Sequence, residues 1–173
     1  MNIFLIGYRC TGKTSVGKSL ATTLGWSFVD ADSRLVEEYG LTIKEIVATQ
    51  GWESFRKKER AVLKVLCIMD QQVIASGGGV VLNHDNVVDM KKSGVLVWLR
   101  ATPETIKKRI VQDEKTDEQR PSLTEKGLIE EIEETLLNRN PLYGKAMNFF
   151  VDTNNLSIDE ICGIVVNKIN DLA

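Results

Sequence analysis

The chain has 173 residues, 43% of them hydrophobic, and a formal net charge of −2; that suits one compact domain with a substantial core. The well-mixed charge points to neither nucleic acid nor an anionic membrane as partner, and the longest apolar runs, such as Val95-Leu96-Val97-Trp98-Leu99, are strand-sized where a membrane span needs about 20 residues. Cys10, Cys67 and Cys162, widely spaced and with His84 as the one histidine, suggest neither a disulfide framework nor a structural zinc site.

The opening residues lack a basic leader and read as a strand over Asn2–Ile6, not as a signal peptide. Gly7-Tyr8-Arg9-Cys10-Thr11-Gly12-Lys13-Thr14 follows, and a helical pattern over Lys13–Leu24 opens directly from it. Further strands are predicted at 27–29, 72–75, 95–99 and 148–151. Helices are predicted at 42–49 and 52–69, separated by Gly51, then at 83–93, 103–111 and 124–138. A last helix places Ile158, Ile161, Cys162, Val165 and Ile169 on one face. Strands alternating with helices predict an α/β fold around a mainly parallel sheet. Residues 112–122 resist assignment: they are polar and close on Arg120-Pro121. The plain reading is a solvated loop; the sharper one is a lid carrying a functional arginine.

Residues 7–14 match the phosphate-loop pattern G-x-x-x-x-G-K-[ST] in full, between a strand and a helix. A triphosphate is a concentrated anion, and backbone N–H groups of Thr11 to Thr14 at a helix N-terminus can surround it. Gly7 and Gly12 let the backbone come close. Lys13 is placed to reach the β- and γ-phosphates, and the Thr14 hydroxyl to ligate Mg²⁺. The loop specifies a nucleoside triphosphate and leaves the acceptor unnamed.

Three downstream features bear on the acceptor. Asp30 and Asp32 lie just after the second strand, where ligands sit in parallel α/β sheets. One can hold Mg²⁺ through water and the other can take a proton from an acceptor hydroxyl; the alternative is that Asp32 is a helix cap. Gly77, Gly78 and Gly79 follow the third strand, costly in chain entropy unless a ligand touches backbone or the chain turns tightly there. Arg56 and Arg139 can fork onto a carboxylate, although either alone reads equally as a surface residue.

Taken in order, the phosphate loop, Asp30-Ala31-Asp32, Phe55-Arg56 with Glu59, Gly77-Gly78-Gly79 and Arg139-Asn140-Pro141-Leu142-Tyr143 resemble the shikimate kinase family over nearly the whole chain. The resemblance implies a three-layer α/β/α phosphate-loop kinase fold like that of nucleoside monophosphate kinases. Its sheet would have five parallel strands in the order 2-3-1-4-5. Residues 1–173 would form a single kinase domain, with a substrate-binding helical segment at about 31–60 and a lid at about 112–124. The implied reaction moves the γ-phosphate of ATP, with Mg²⁺, to the 3-hydroxyl of shikimate. By position, Cys10, Thr11, Gly12, Lys13, Thr14 and Ser15 resemble the nucleotide-binding loop, Arg109 the arginine near adenine, and Arg120 the lid arginine that closes on the phosphates. Thr14 and Asp30 resemble the metal-binding pair. Asp32 resembles the group that holds the acceptor hydroxyls and takes the proton. Arg56 and Arg139 resemble the carboxylate grip, Glu59 the residue orienting Arg56, and Gly77, Gly78 and Gly79 the turn whose backbone meets substrate. Lys13, Asp32 and Arg120 are thus the candidate catalytic residues.

Two departures stand out. The family loop usually reads G-x-x-G-x-G-K, and Cys10 takes the place of its second glycine; the turn there must tolerate a side chain, and the thiol lies near Lys13 at a helix N-terminus. Asn155 and Leu156 stand where many relatives place an arginine beside adenine. Rival readings are a kinase for another small anionic acceptor, such as gluconate or a nucleotide, and a catalytically silent ATP-binding domain. A cytoplasmic monomer is expected, since no CxxC pair or long apolar seam argues otherwise.

Overall fold

The computed structural model of the chain describes residues 1–112 and 127–172. Strands β1 (Asn2–Ile6), β2 (Ser27–Asp30), β3 (Gln72–Ala75), β4 (Gly94–Arg100) and β5 (Phe149–Asp152) form one sheet in the order β2-β3-β1-β4-β5. Every neighbouring pair is parallel. The helices are α1 (Lys13–Leu24), α2 (Ala31–Tyr39), α3 (Ile43–Ile68), α4 (His84–Ser93), α5 (Pro103–Gln112), α6 (Leu128–Ala146) and α7 (Ile158–Asn170). This is the strand order and layered architecture that the motif order implied.

Ile3-Phe4-Leu5-Ile6 is buried throughout, as a central parallel strand covered on both faces must be. Successive side chains point to opposite faces. Phe4, Ile6, Leu96 and Trp98 pack with Leu63 of α3, Met90 of α4 and Tyr143 of α6. Ile3, Leu5, Val97 and Leu99 pack with Val16 and Leu20 of α1 and Ile161 and Val165 of α7. A smaller cluster, Tyr8 with Ile106, Ile110, Ile132 and Leu136, joins α5 to α6 beside the phosphate loop. Because the strands are parallel, all their carboxyl ends open on one edge, and the loops that follow β1, β2 and β3 meet there.

The break expected at Gly51 is present: φ 80°, ψ 168° there interrupts α3 into two helical stretches. Helix α2 begins directly at the end of β2, at the start of the expected helical segment. Helix α6 runs on past the expected end near residue 138 and carries Pro141 inside it. An internal proline costs a helix about 3 kcal/mol; burial of Tyr143 and Ala146 beyond it supplies an opposing gain.

The register Asn2↔Gly94 starts the β1–β4 pair. A Cβ on Gly94 would sit 2.1 Å from the Asn2 carbonyl oxygen, a backbone atom that cannot step aside. Gly94→Ala is therefore expected to destabilise the chain by about 1–3 kcal/mol, seen as a lower midpoint in urea unfolding; an unchanged midpoint would show that the two strands can part without cost.

Candidate active site

The phosphate loop leaves β1 and enters α1 through three residues of positive φ, Gly7 (138°), Cys10 (58°) and Gly12 (98°). At Gly7 the requirement is also steric, since a Cβ there would lie 2.3 Å from the Leu99 carbonyl oxygen. Cys10 shows that the loop accepts a side chain in left-handed geometry. The Lys13 ammonium, itself buried, donates to the carbonyl oxygens of Gly7 (2.9 Å) and Tyr8 (2.7 Å), and the Thr11 hydroxyl donates to Tyr8 (2.8 Å). These bonds hold the loop in a closed arch. Gly12 offers α1 no side-chain cap, so no capping side chain occupies the first-turn N–H groups. Thr14 and Ser15 are exposed in that first turn.

At the end of β2 the capping residue is Asp30, so the alternative reading of Asp32 as a helix cap does not hold. Asp30 Oδ1 accepts from the N–H groups of Asp32 (3.1 Å) and Ser33 (3.2 Å), while Oδ2 accepts from the Thr14 hydroxyl (2.9 Å). The chain leaves strand geometry after Asp30, and this frees Asp32 to point elsewhere from the first turn of α2.

Asp32 lines a cavity with Arg56, Glu59, Gly77, Gly78, Gly79 and Arg139, which brings together every residue predicted for the acceptor side. The three glycines explain how. A Cβ on Gly77 would lie 2.8 Å from both Asp32 Oδ1 and Glu59 Oε1; one on Gly79 would lie 2.2 Å from Arg56 Nη2; one on Gly78 would lie 3.7 Å from Arg139 Nη1. None of the three has positive φ. At Gly77 and Gly79 glycine serves close approach of side chains and not turn geometry, whereas a Cβ on Gly78 would make only ordinary contacts.

Arg56 donates to Glu59 Oε2 at 2.7 Å, one helical turn away, and its guanidinium lies 4.9 Å from the Phe55 ring centroid and 5.6 Å from that of Trp52. Burial raises the Glu59 pKa, and the Arg56 guanidinium pulls it back. Glu59 Oε1 is buried and makes no hydrogen bond.

The cavity has walls to which sequence reasoning gave no role. Tyr8 and Arg9, read only as variable positions of the phosphate loop, line it, as do Ile43, Trp52 and Phe55, the last read only as the neighbour of Arg56. Trp52 and Phe55 stand four and one residues before Arg56, a helical spacing that could have marked them. Arg9 pairs with Glu131 of α6 at 2.5 Å, both buried; no local pattern joins residues so far apart in the chain.

Arg109, expected near adenine, lies in α5 and ties two loops together. It donates to the Cys10 carbonyl (3.2 Å) and to the Thr153 hydroxyl (3.0 Å) and carbonyl (2.5 Å). Arg120 and nearly all of the expected lid lie outside the described residues. Among the described residues no helix is long and apolar enough to cross a membrane, and no cluster of three or more His, Cys, Asp or Glu could cage a metal ion.

Comparison with known proteins bears on these features together. A family model described as "SKI: Shikimate kinase" matches residues 9–170. The chain is 40% identical over 172 residues to a shikimate kinase of Thermodesulfovibrio yellowstonii, covering 99% of this chain and 96% of that one. It is 39% identical over 150 residues to shikimate kinase 2 of Yersinia enterocolitica, covering 87% and 85%. A solved shikimate kinase from Acinetobacter baumannii, in complex with shikimate, superposes with a TM-score of 0.90 at 30% identity over 98% of this chain and 93% of that one. With the family model running from within the phosphate loop to the end of the last helix, the chain belongs to the shikimate kinase family.

Proposed function

We propose that the chain transfers the γ-phosphoryl group of ATP to the 3-hydroxyl of shikimate, giving shikimate 3-phosphate and ADP. One observation carries the reading: a carboxylate, Asp32, and two arginines, Arg56 and Arg139, converge on one cavity that Tyr8 and Arg9 of the phosphate loop also line. That set suits a small polyhydroxylated carboxylate. The arginines offer forked donors to a carboxylate, and Asp32 offers an acceptor to hydroxyls.

In this reading, Asp32 takes the proton of the 3-hydroxyl as its oxygen bonds to the γ-phosphorus, and the bond from that phosphorus to the β–γ bridging oxygen breaks to release ADP. Such transfers depend mostly on positioning and on charge stabilisation. Lys13 supplies positive charge at the loop once its bonds to Gly7 and Tyr8 are exchanged for phosphate oxygens. Cys10, Thr11, Gly12, Thr14 and Ser15 line the phosphates through backbone and hydroxyl groups, and Arg109 borders the base. Arg120 closes on the phosphates from the lid. Exclusion of water by such a lid protects the γ-phosphate from hydrolysis.

The residues present also fit Mg²⁺. Thr14 Oγ1 and Asp30 Oδ2 stand 2.9 Å apart as paired hard oxygen donors, and Mg²⁺ in kinases takes only one or two protein ligands and completes its shell with phosphates and water. When bound, the ion neutralises charge on the β- and γ-phosphate oxygens. We read the chain as a single kinase domain working as a cytoplasmic monomer, with residues 31–60 as the acceptor-binding segment and 112–124 as the lid.

Coupled measurement of ADP release with ATP, Mg²⁺ and millimolar shikimate is expected to show turnover that depends on shikimate; release unaffected by shikimate, or supported equally by gluconate, would remove the acceptor assignment. Arg139→Ala is expected to raise the KM for shikimate about 10- to 100-fold, the cost of a charged hydrogen bond, with a smaller change in kcat. If both parameters stay at wild-type values, Arg139 is no part of the grip. Lys13→Ala is expected to lower kcat by at least about 100-fold, because it removes both a phosphate contact and the bonds that arch the loop; activity within tenfold of wild type would contradict this.

A further inference from the structure

The turn at 77–79 has no side chains of its own to stiffen it, so its conformation needs restraint from its carbonyl groups. Two of these are held within the turn. Gly77 accepts from the Val80 N–H (3.1 Å) and Gly79 from the Leu82 N–H (3.0 Å). The Gly78 carbonyl is held from outside, by the hydroxyl of Tyr143.

Tyr143 is fully buried in α6, its ring tilted against Trp98 with centroids 5.6 Å apart. A phenylalanine would fill the same apolar space, and a buried hydroxyl costs free energy unless it is bonded. Here its partner is the one turn carbonyl without a local donor. Arg139 stands one helical turn before Tyr143, and its Nη1 would lie 3.7 Å from a Cβ on Gly78, the residue whose carbonyl Tyr143 holds. Burial pushes the Tyr143 phenol up to about 12, against the pull of Arg139, so the hydroxyl keeps its proton and remains a donor.

We propose that Tyr143 is a positioning residue of the acceptor site, whose hydroxyl fixes the Gly78 peptide and the adjoining Arg139 guanidinium in the arrangement that grips the acceptor's carboxylate. This rests on the acceptor reading above and adds a residue outside the cavity wall that acts through two residues within it. The grip then depends on one buried hydrogen bond between α6 and the turn, and loss of that bond weakens recognition of the carboxylate more than binding of ATP.

The test compares shikimate with its carboxamide in the wild-type chain and in Tyr143→Phe. Expected is a rise of about tenfold in KM for shikimate, with KM for ATP and KM for the carboxamide each within twofold of wild type, so that preference for the acid collapses. Equal weakening of acid and amide, or a KM for shikimate within twofold of wild type, overturns the inference. If the wild-type chain turns over neither compound, the acceptor assignment falls and the inference falls with it; if wild-type preference for the acid survives in Tyr143→Phe, the inference alone fails. A second measurement keeps the native fold. In the chain labelled with 3-fluorotyrosine, with resonances assigned by Tyr8→Phe and Tyr39→Phe, the Tyr143 fluorine signal is expected to shift with shikimate and to shift less with the carboxamide; an unmoved signal overturns the inference.

Discussion

The acceptor cavity depends on a stretch of backbone that carries no side chains. Residues 77–79 follow β3 at the carboxyl edge of the sheet, and charged groups from two helices close on them to distances that a single Cβ would block. Asp32 and Glu59 come against Gly77, and the Arg56 guanidinium lies over Gly79. An alanine at either position would displace the charged groups themselves, so the chain's most permissive segment sets the position of its least permissive chemistry. The same logic holds at Gly7, where the phosphate loop runs close under the Leu99 carbonyl. Both halves of the site therefore rest on close backbone passage beside the two strands next to β1.

Charge in this site is held in pairs. Arg56 is bonded to Glu59, and Arg9 to Glu131. Buried ion pairs lose much of their attraction to desolvation, so they are weak contributors to stability. Their worth here lies in arrangement: Glu59 holds the Arg56 guanidinium over the glycine turn, and Glu131 ties the phosphate loop to α6. Asp30 joins the two halves in another way. One of its oxygens caps α2 and so sets the course of the chain through Asp32, while the other meets Thr14 at the start of α1. A displacement at either end is transmitted through a single carboxylate.

How much of this was legible in the sequence differs from feature to feature. Strand β1 and helix α1 read correctly to the residue because each is set by local pattern, a wholly apolar run and a helix opening from a glycine loop. The end of α6 did not, because Pro141 is a strong local stop signal, and what overrides it is burial of Tyr143 against Trp98 from a strand more than 40 residues away. The alternative reading of Asp32 as a helix cap missed the cap of α2 by two residues for a similar reason. Both aspartates can cap, and the choice falls to Asp30, which also meets Thr14 across the sheet edge.

By itself the sequence determined that the chain binds a nucleoside triphosphate and builds a parallel α/β sheet, since both follow from residues adjacent in the chain: a strand, a glycine loop with Lys13 and Thr14, a helix, and their repeated alternation. It also held the acceptor residues, in recognisable order but scattered from Asp32 to Arg139. Only the tertiary structure decided that Asp32, Arg56, Glu59 and Arg139 share one cavity, that Tyr8 and Arg9 wall it, and that Tyr143 pins the turn within it. The physical reason is distance along the chain: contacts between residues tens of positions apart exist only once parallel pairing has brought the carboxyl ends of the strands to a common edge, and no local periodicity encodes which side chains will then face one another.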